Sequence, residues 1–162
     1  MRFLDKMIRL LNGILIWLAG LMLGAMIVLT CANIFLRTVW LPVSGTFELM
    51  GYFSAVAMAF ALGHTQIAKG HISVDILVTR FSSGTRRFLN GVNNLVCALF
   101  FGVVVWQIAK YGTTLWRTGE VTETLRIIYY PFVYAVGLGC ALLSLVFLVE
   151  FLKSLLVKEE VH

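Results

Sequence analysis

Histidine side chains are the first residues in this sequence that could bind a haem or a metal ion. His64 and His71 are seven residues apart, and they would share a helix face only if one helix continued through Gly70. Glycine at that position favours a break instead. A haem between membrane helices usually needs histidines inside two different helices, and the sequence has them in only one. We therefore expect no cofactor.

Cysteine chemistry is not indicated either. The three cysteines, Cys31, Cys97 and Cys140, are far apart in sequence and form no C-x-x-C motif. The chain contains no G-x-S-x-G, H-E-x-x-H or P-loop motif. The sequence thus predicts a protein that is not an enzyme, with no catalytic residue, no substrate-binding residue and no metal ligand.

Two charged residues lie at the borders of apolar segments. Glu48 opens one such segment and Arg37 closes the preceding one, which predicts a structural ion pair at one membrane level. A proton or ion relay and simple extension of each side chain to water are the alternatives. Asn33, one helical turn before Arg37, is expected to form an interhelical hydrogen bond.

Small residues recur at four-residue intervals after Glu48, at Gly51, Ala55, Ala59 and Gly63. Helices in membranes pack through such residues because they allow backbones to approach closely. The pattern, here called the small-residue ladder, predicts a helix contact. The contact could be within this chain or with a separate membrane subunit.

The composition identifies the solvent that surrounds these residues. The chain has 162 residues, of which 60% are apolar and 13% charged, whereas about 25% of residues in a typical soluble domain are charged. A soluble protein of this size could not bury so much apolar side chain. Soluble enzymes, disordered chains and disulfide-stapled modules are excluded, and the lipid bilayer is predicted as a partner.

Four stretches without Asp, Glu, Lys or Arg contain 27, 20, 22 and 23 residues. About 20 helical residues cross the hydrocarbon layer, so each stretch predicts one crossing. The fold class is therefore an all-α membrane protein, with transmembrane helices near 10–36, 46–67, 86–110 and 126–151. We expect residues 1–162 to form a single four-helix transmembrane domain.

Lysine and arginine are unevenly divided between the two sides of this topology, nine against four. The positive-inside rule then places both termini in the cytoplasm. The net charge of +5 follows from this asymmetry, and no basic cluster with interleaved aromatics suggests a nucleic-acid partner. Between helices two and three, residues 71–81 predict a short amphipathic helix at the cytoplasmic interface. The most polar loop, 111–125, is predicted on the outer side.

The order of these features is similar to a known family. An Asn-x-x-x-Arg closes the first helix, Glu48 opens the second, and a Lys-Gly-His-Ile-x-Val-Asp run at 69–75 follows it. An Arg-Arg pair precedes the third helix, and Pro131 lies at the start of the fourth. This arrangement resembles the small membrane subunit, the DctQ type, of tripartite ATP-independent periplasmic (TRAP) transporters.

The resemblance implies a function. In such transporters a periplasmic solute-binding protein delivers a carboxylate-bearing solute to a large permease subunit, which imports it, usually with sodium. The small subunit is implied to be a fixed scaffold beside the large one, with Arg37 and Glu48 fixing helix ends on the outer side. His71 and Asp75 would brace the interfacial helix, and Trp116, Arg117 and Glu120 would contact the binding protein.

Two other functions remain as alternatives. The first is a self-contained small four-helix multidrug exporter that works as a homodimer, although such exporters usually carry their acidic residue at midspan, whereas Glu48 is near a helix end. The second is a haem-containing redox anchor, which the histidine positions disfavour.

Overall fold

The computed structural model describes residues 2–39, 41, 43–68 and 83–156. Within these residues the chain forms four helices, which we name α1 to α4: Arg2–Val39, Thr46–Ile67, Ser83–Thr118 and Tyr130–Leu156. Each contains a segment long and apolar enough to cross a membrane. The predicted all-helical fold with four spans is confirmed. The predicted interfacial helix lies outside the described residues.

The bounds of the second helix agree with the prediction, and the others differ in informative ways. Helix α3 continues to Thr118, past the predicted end at residue 110, because a charged residue such as Lys110 does not stop a helix. The stop comes at Gly119, whose positive φ of 66° ends the helix in a left-handed conformation. Helix α4 begins at Tyr130, four residues later than predicted.

The four helices have a central pair and two flanking members. Helices α2 and α4 pack together, α1 packs mainly on α2, and α3 packs on α4. Among the described residues, α1 and α3 share no substantial contact. In the most apolar part of each helix, 33% of residues are buried in α2 and 28% in α4, against 11% in α1 and in α3. The flanking helices therefore expose most of their length.

Two apolar clusters hold this arrangement. The first joins α1 to α2 through Leu15, Ala19, Val56 and Phe60, all buried. The second joins α3 to α4 around Leu143, which is 1% exposed. Because apolar burial gives no advantage over lipid, close packing and hydrogen bonds must supply specificity between these helices.

The contact between α3 and α4 shows both. The Ser144 hydroxyl donates a hydrogen bond of 3.0 Å to the carbonyl of Ala98. The rings of Phe101 and Phe147 stack with centroids 6.0 Å apart. A hydroxyl that bonds a backbone carbonyl on the next helix fixes the register of the pair.

The two ends of the bundle are named here by their polar contacts. The Glu48 end contains the start of α2 and the α3–α4 loop, which we define as residues 119–129. The Gln66 end contains the end of α2, where the Gln66 amide donates a 2.8 Å hydrogen bond to the Glu150 carboxylate of α4. This bond closes the central pair at the Gln66 end.

Candidate functional site

Glu48 lies in the first turn of α2, beside the α3–α4 loop. One carboxylate oxygen accepts a 2.7 Å hydrogen bond from the backbone N–H of Thr124, and the other accepts a 3.2 Å bond from that of Leu125. Such bonds to an ionised acceptor are stronger than neutral ones. Glu48 therefore ties the loop to a helix 76 residues earlier in the chain.

The turn that leads into α2 is shaped to receive the same loop. Gly45 has a φ of 75°, a left-handed conformation that side chains disfavour. A Cβ on Gly45 would also run into the side chain of Leu125. Next to it, the buried Thr46 hydroxyl donates a 2.7 Å hydrogen bond to the carbonyl of Val43. Glycine is required here both for backbone conformation and for space.

The loop has its own internal structure. The buried Thr122 is its centre: its backbone N–H donates to the carbonyl of Ile127 at 2.9 Å, and its hydroxyl accepts from the N–H of Ile127 at 3.3 Å. A single antiparallel bridge pairs Val121 with Ile128. The loop is therefore a small hairpin-like turn.

Aromatic residues pack the loop against α2 and α4. The Tyr52 ring of α2 stacks on Tyr129, with centroids 5.7 Å apart, and on Phe132 of α4 at 5.2 Å. The Tyr129 hydroxyl donates a 2.8 Å hydrogen bond to the Glu120 carboxylate. That bond, together with burial, raises the pKa of Tyr129 well above its ordinary value of 10.0, because removing the proton would place two negative charges together.

The ion pair expected between Glu48 and Arg37 does not form among the described residues, and this expectation is wrong. Glu48 is about 20° around α2 from Ala59, on the side that faces α4 rather than α1. The loop amides therefore reach the carboxylate, and Arg37 stays exposed. Asn33 forms a hydrogen bond with the α1–α2 connection and not with another helix: its side-chain oxygen accepts a 2.9 Å bond from the N–H of Val43.

The small-residue ladder divides into two halves. Ala59 and Gly63 are buried, whereas Gly51 and Ala55 are exposed. Successive members of a four-residue repeat advance about 40° around a helix, so four members turn through about 120°. One flank therefore packs within the chain, and the other is left open.

The buried half of the ladder makes two close approaches. A Cβ built on Gly139 of α4 would lie 2.6 Å from the carbonyl oxygen of Ala59, so the two backbones nearly touch. A Cβ on Gly63 would collide with the side-chain oxygen of Asn12 on α1. Asn12 is 1% exposed, its amide donates to the carbonyl of Ile8, and its oxygen has no hydrogen-bond partner among the described residues.

The three residues predicted to contact a binding protein do not all lie on a loop. Trp116 and Arg117 belong to the last turn of α3, and only Glu120 is in the α3–α4 loop. The loop is shorter than predicted because α3 runs on to Gly119. All three side chains are exposed at the Glu48 end.

The remaining predicted positions carry little structural information. His71 and Asp75 lie outside the described residues. His64 is exposed near the end of α2. Within the part of the chain that the structure describes, no three His, Cys, Asp or Glu side chains gather in a group that could hold a metal ion.

Several residues that organise the structure escaped the sequence analysis. Gly139 and Asn12 are unremarkable in an apolar helix until the neighbouring helix is known. The hydrogen bond between Gln66 and Glu150 joins residues 84 positions apart. Thr122 carries no signal beyond its place in a polar loop, whereas the Glu120 and Tyr129 pair lies within ten residues and had the spacing of a hairpin.

Comparison with known proteins adds a family to this geometry. The family described as "Tripartite ATP-independent periplasmic transporters, DctQ component" matches residues 26–157. The match covers all of α2, α3 and α4, and the last third of α1. No curated protein and no solved structure gives a significant match.

Proposed function

The chain belongs to the DctQ family of small TRAP transporter subunits, and from this premise we propose that it is a non-catalytic scaffold of a TRAP-type importer in the bacterial inner membrane. Members of this family are transporter components and not enzymes. The match over residues 26–157 is the observation that carries the proposal. The scaffold stands beside a large permease subunit, and a periplasmic solute-binding protein supplies the solute.

Two properties of the structure support an accessory role. Within the described residues, the membrane part of the bundle has no Asp, Glu, Lys, Arg or His side chain at midspan on which a solute or ion path could be built. The central helices are fixed by close backbone approach and by bonds at both ends, such as Gln66 with Glu150. A rigid body of this kind suits a fixed partner of a moving permease.

The open half of the small-residue ladder is the proposed contact with the large subunit. Gly51 and Ala55 leave a shallow track on α2, and Met58, 66% exposed, borders it. A Cβ on Gly51 would meet no atom within 4 Å, so no described residue of this chain occupies the track at that point. Small residues serve helix packing in membranes, and a helix of the large subunit would bury them.

Topology and transport follow from the same proposal. The excess of Lys and Arg at the termini and in the 69–87 segment supports a topology with both termini in the cytoplasm. The Glu48 end then faces the periplasm, where Trp116, Arg117 and Glu120 are available to the binding protein. Asn33, Arg37 and Glu48 lie at this end of the bundle, and the proposal assigns the segment that contains His71 and Asp75 to the cytoplasmic side. The transported solute carries a carboxylate, and sodium drives its import.

Deletion and complementation test the proposal. Cells that lack this chain but retain the large subunit and the binding protein should lose solute uptake, and the wild-type chain should restore it. Normal uptake without the chain would contradict the scaffold role. Transport by the purified chain alone in vesicles would favour the self-contained exporter instead.

A further inference from the structure

We propose that Glu48 is a positioning residue, which holds the α3–α4 loop in the one shape that a solute-binding protein can dock against. The inference rests on the proposed function, because it takes the binding protein as the partner at the Glu48 end. It adds a residue and a surface to that function. Glu48 itself is partly covered by the loop and acts through it.

The hydrogen bonds give Glu48 control over the tip of the loop. Thr124 and Leu125 are consecutive, and their N–H groups point at the two oxygens of one carboxylate, at 2.7 and 3.2 Å. A two-pronged contact of this kind fixes orientation as well as position. The anchor stands on α2, which is the most buried of the helices described. The tip of the loop is thereby held in a fixed position relative to α2.

Two neighbouring contacts also hold the loop against the start of α2. The Leu125 side chain fills the space left by Gly45, and the Tyr129 ring stacks on Tyr52. Gly45, Glu48 and Tyr52 are spaced at three and four residues, so they follow one face of the first turns of α2. The loop rests on that face along its length.

The side of the loop that does not contact α2 has the composition of a protein interface. Val121 and Ile128 are 45% and 52% exposed, and they are bridged to each other, so they form one apolar patch. Glu123 and Arg126, which lie between these two residues in the sequence, are exposed and charged. An apolar centre with a charged rim is typical of a surface that binds another protein. Because the patch lies outside the membrane-spanning segments, a water-soluble partner fits it.

Hydrogen exchange, measured on the complex of this chain with its large subunit, tests whether Glu48 holds the loop in place. Glu48→Gln keeps the shape of the side chain, but its amide can accept only one of the two N–H bonds. We expect backbone amides of residues 122–127 to exchange about tenfold faster, while those of the α2 core around Val56 stay unchanged. Glu123→Gln, which removes the same charge from the loop without touching these bonds, should exchange like the wild type. Equal exchange in Glu48→Gln and wild type would overturn the inference.

Binding measurements test the docking step. The complex of this chain with its large subunit, held in nanodiscs, is titrated with the solute-binding protein of the same transporter. We expect Glu48→Gln to raise the Kd about tenfold, and Glu48→Asp, which keeps both acceptor oxygens, to recover part of the loss. A merely structural defect would lower the amount of folded complex and leave the Kd of the remainder unchanged.

The outcomes separate this inference from the proposed function. If Glu48→Gln loosens the loop but binds the solute-binding protein like the wild type, the loop is not a docking surface, and the inference fails while the scaffold role stands. If the wild-type complex itself does not bind the solute-binding protein, or works without this chain, the proposed function fails.

Discussion

The two halves of α2 are held by different kinds of contact. Toward the Gln66 end, Ala59 and Gly63 let backbones approach, and there is no room for an added methyl group. Toward the Glu48 end, the side chains of Glu48 and Tyr52 contact the α3–α4 loop. The small residues of this half, Gly51 and Ala55, are exposed. The same four-residue repeat thus contributes to the chain's own fold in one half and presents a surface in the other.

This difference shows what a small-residue pattern means in a membrane helix. The repeat drifts around the helix, so it cannot serve one neighbour over four turns. A helix with a long ladder needs either a neighbour that winds with it or two neighbours. In this chain the packed half faces α4 at Ala59 and α1 at Gly63, and the large subunit is our proposed neighbour for the open half.

The largest expected effect comes from Ala59→Leu, which breaks the packed half. The new side chain would collide with the backbone of Gly139, and overpacking costs about 1–3 kcal/mol where the backbone can yield. Since backbone lies on both sides of the contact, we expect the upper part of this range. Unfolding of the purified chain in detergent measures it. Wild-type stability would show that α2 and α4 are not in close contact.

Gly45→Ala should be next in size and should act at the other end. A left-handed φ costs a non-glycine residue about 1–2 kcal/mol, and the methyl group would displace Leu125. We expect a loss of stability together with faster hydrogen exchange in the α3–α4 loop. The control is Gly84→Ala, since a Cβ there meets nothing within 4 Å. If both variants had the same stability and the same hydrogen exchange in the loop, the Gly45 turn would not hold the loop in place.

Asn12→Leu, unlike the two preceding variants, is expected not to destabilise the protein. Leucine has the same branched skeleton as asparagine, and it removes an oxygen that is buried without a partner among the described residues. A buried unsatisfied polar atom costs free energy, so we expect unchanged stability or a gain of up to about 1 kcal/mol. A clear loss would mean that the Asn12 amide makes a contact that holds α1 in place.

Tyr129→Phe removes one hydrogen bond from the loop and should have a smaller, pH-dependent effect. The folded pKa of Tyr129 is raised above 10.0, so the bond to Glu120 contributes fully below pH 10 and is lost as the pH rises through the folded pKa. Loop amide protection in the wild type should therefore fall at alkaline pH, and the variant should lack that component. An identical pH profile in both proteins would contradict the assignment.

Ala55→Leu should have the smallest effect on the isolated chain, although it is the same substitution as Ala59→Leu one turn away. Ala55 is exposed and lies on the open half of the ladder. Exposed substitutions usually change stability by less than about 0.5 kcal/mol. Unfolding in the detergent used for Ala59→Leu checks this expectation. A large loss would place Ala55 inside the chain's own packing.

The elements of the fold could be predicted from the sequence because charge is so costly in hydrocarbon. Gaps between charged residues identified all four spans, and for α2 the bounds agree. The same signal misplaced the end of α3 and the start of α4, because helices continue beyond the membrane until a residue such as Gly119 stops them. Charge marks the edge of the lipid, and it does not mark the end of a helix.

The site was harder to predict. Glu48 stands out in the sequence because it borders a span. Its partners, however, are backbone N–H groups, which nearly every residue has. A pattern of side chains therefore cannot predict them. Arg37 was the wrong partner because the helical wheel gives the side of α2 that Glu48 occupies without giving the helix that lies there. The division of the ladder became visible only when α4 was in place.

The most direct test of the account is co-purification of the large subunit with affinity-tagged wild-type and Ala55→Leu chains from membranes that contain both proteins. The account predicts that the wild-type chain retains the large subunit in mild detergent, whereas Ala55→Leu is folded, present in equal amount and purified largely alone. Equal retention of the large subunit by both chains would contradict the claim that the open half of α2 is its docking surface.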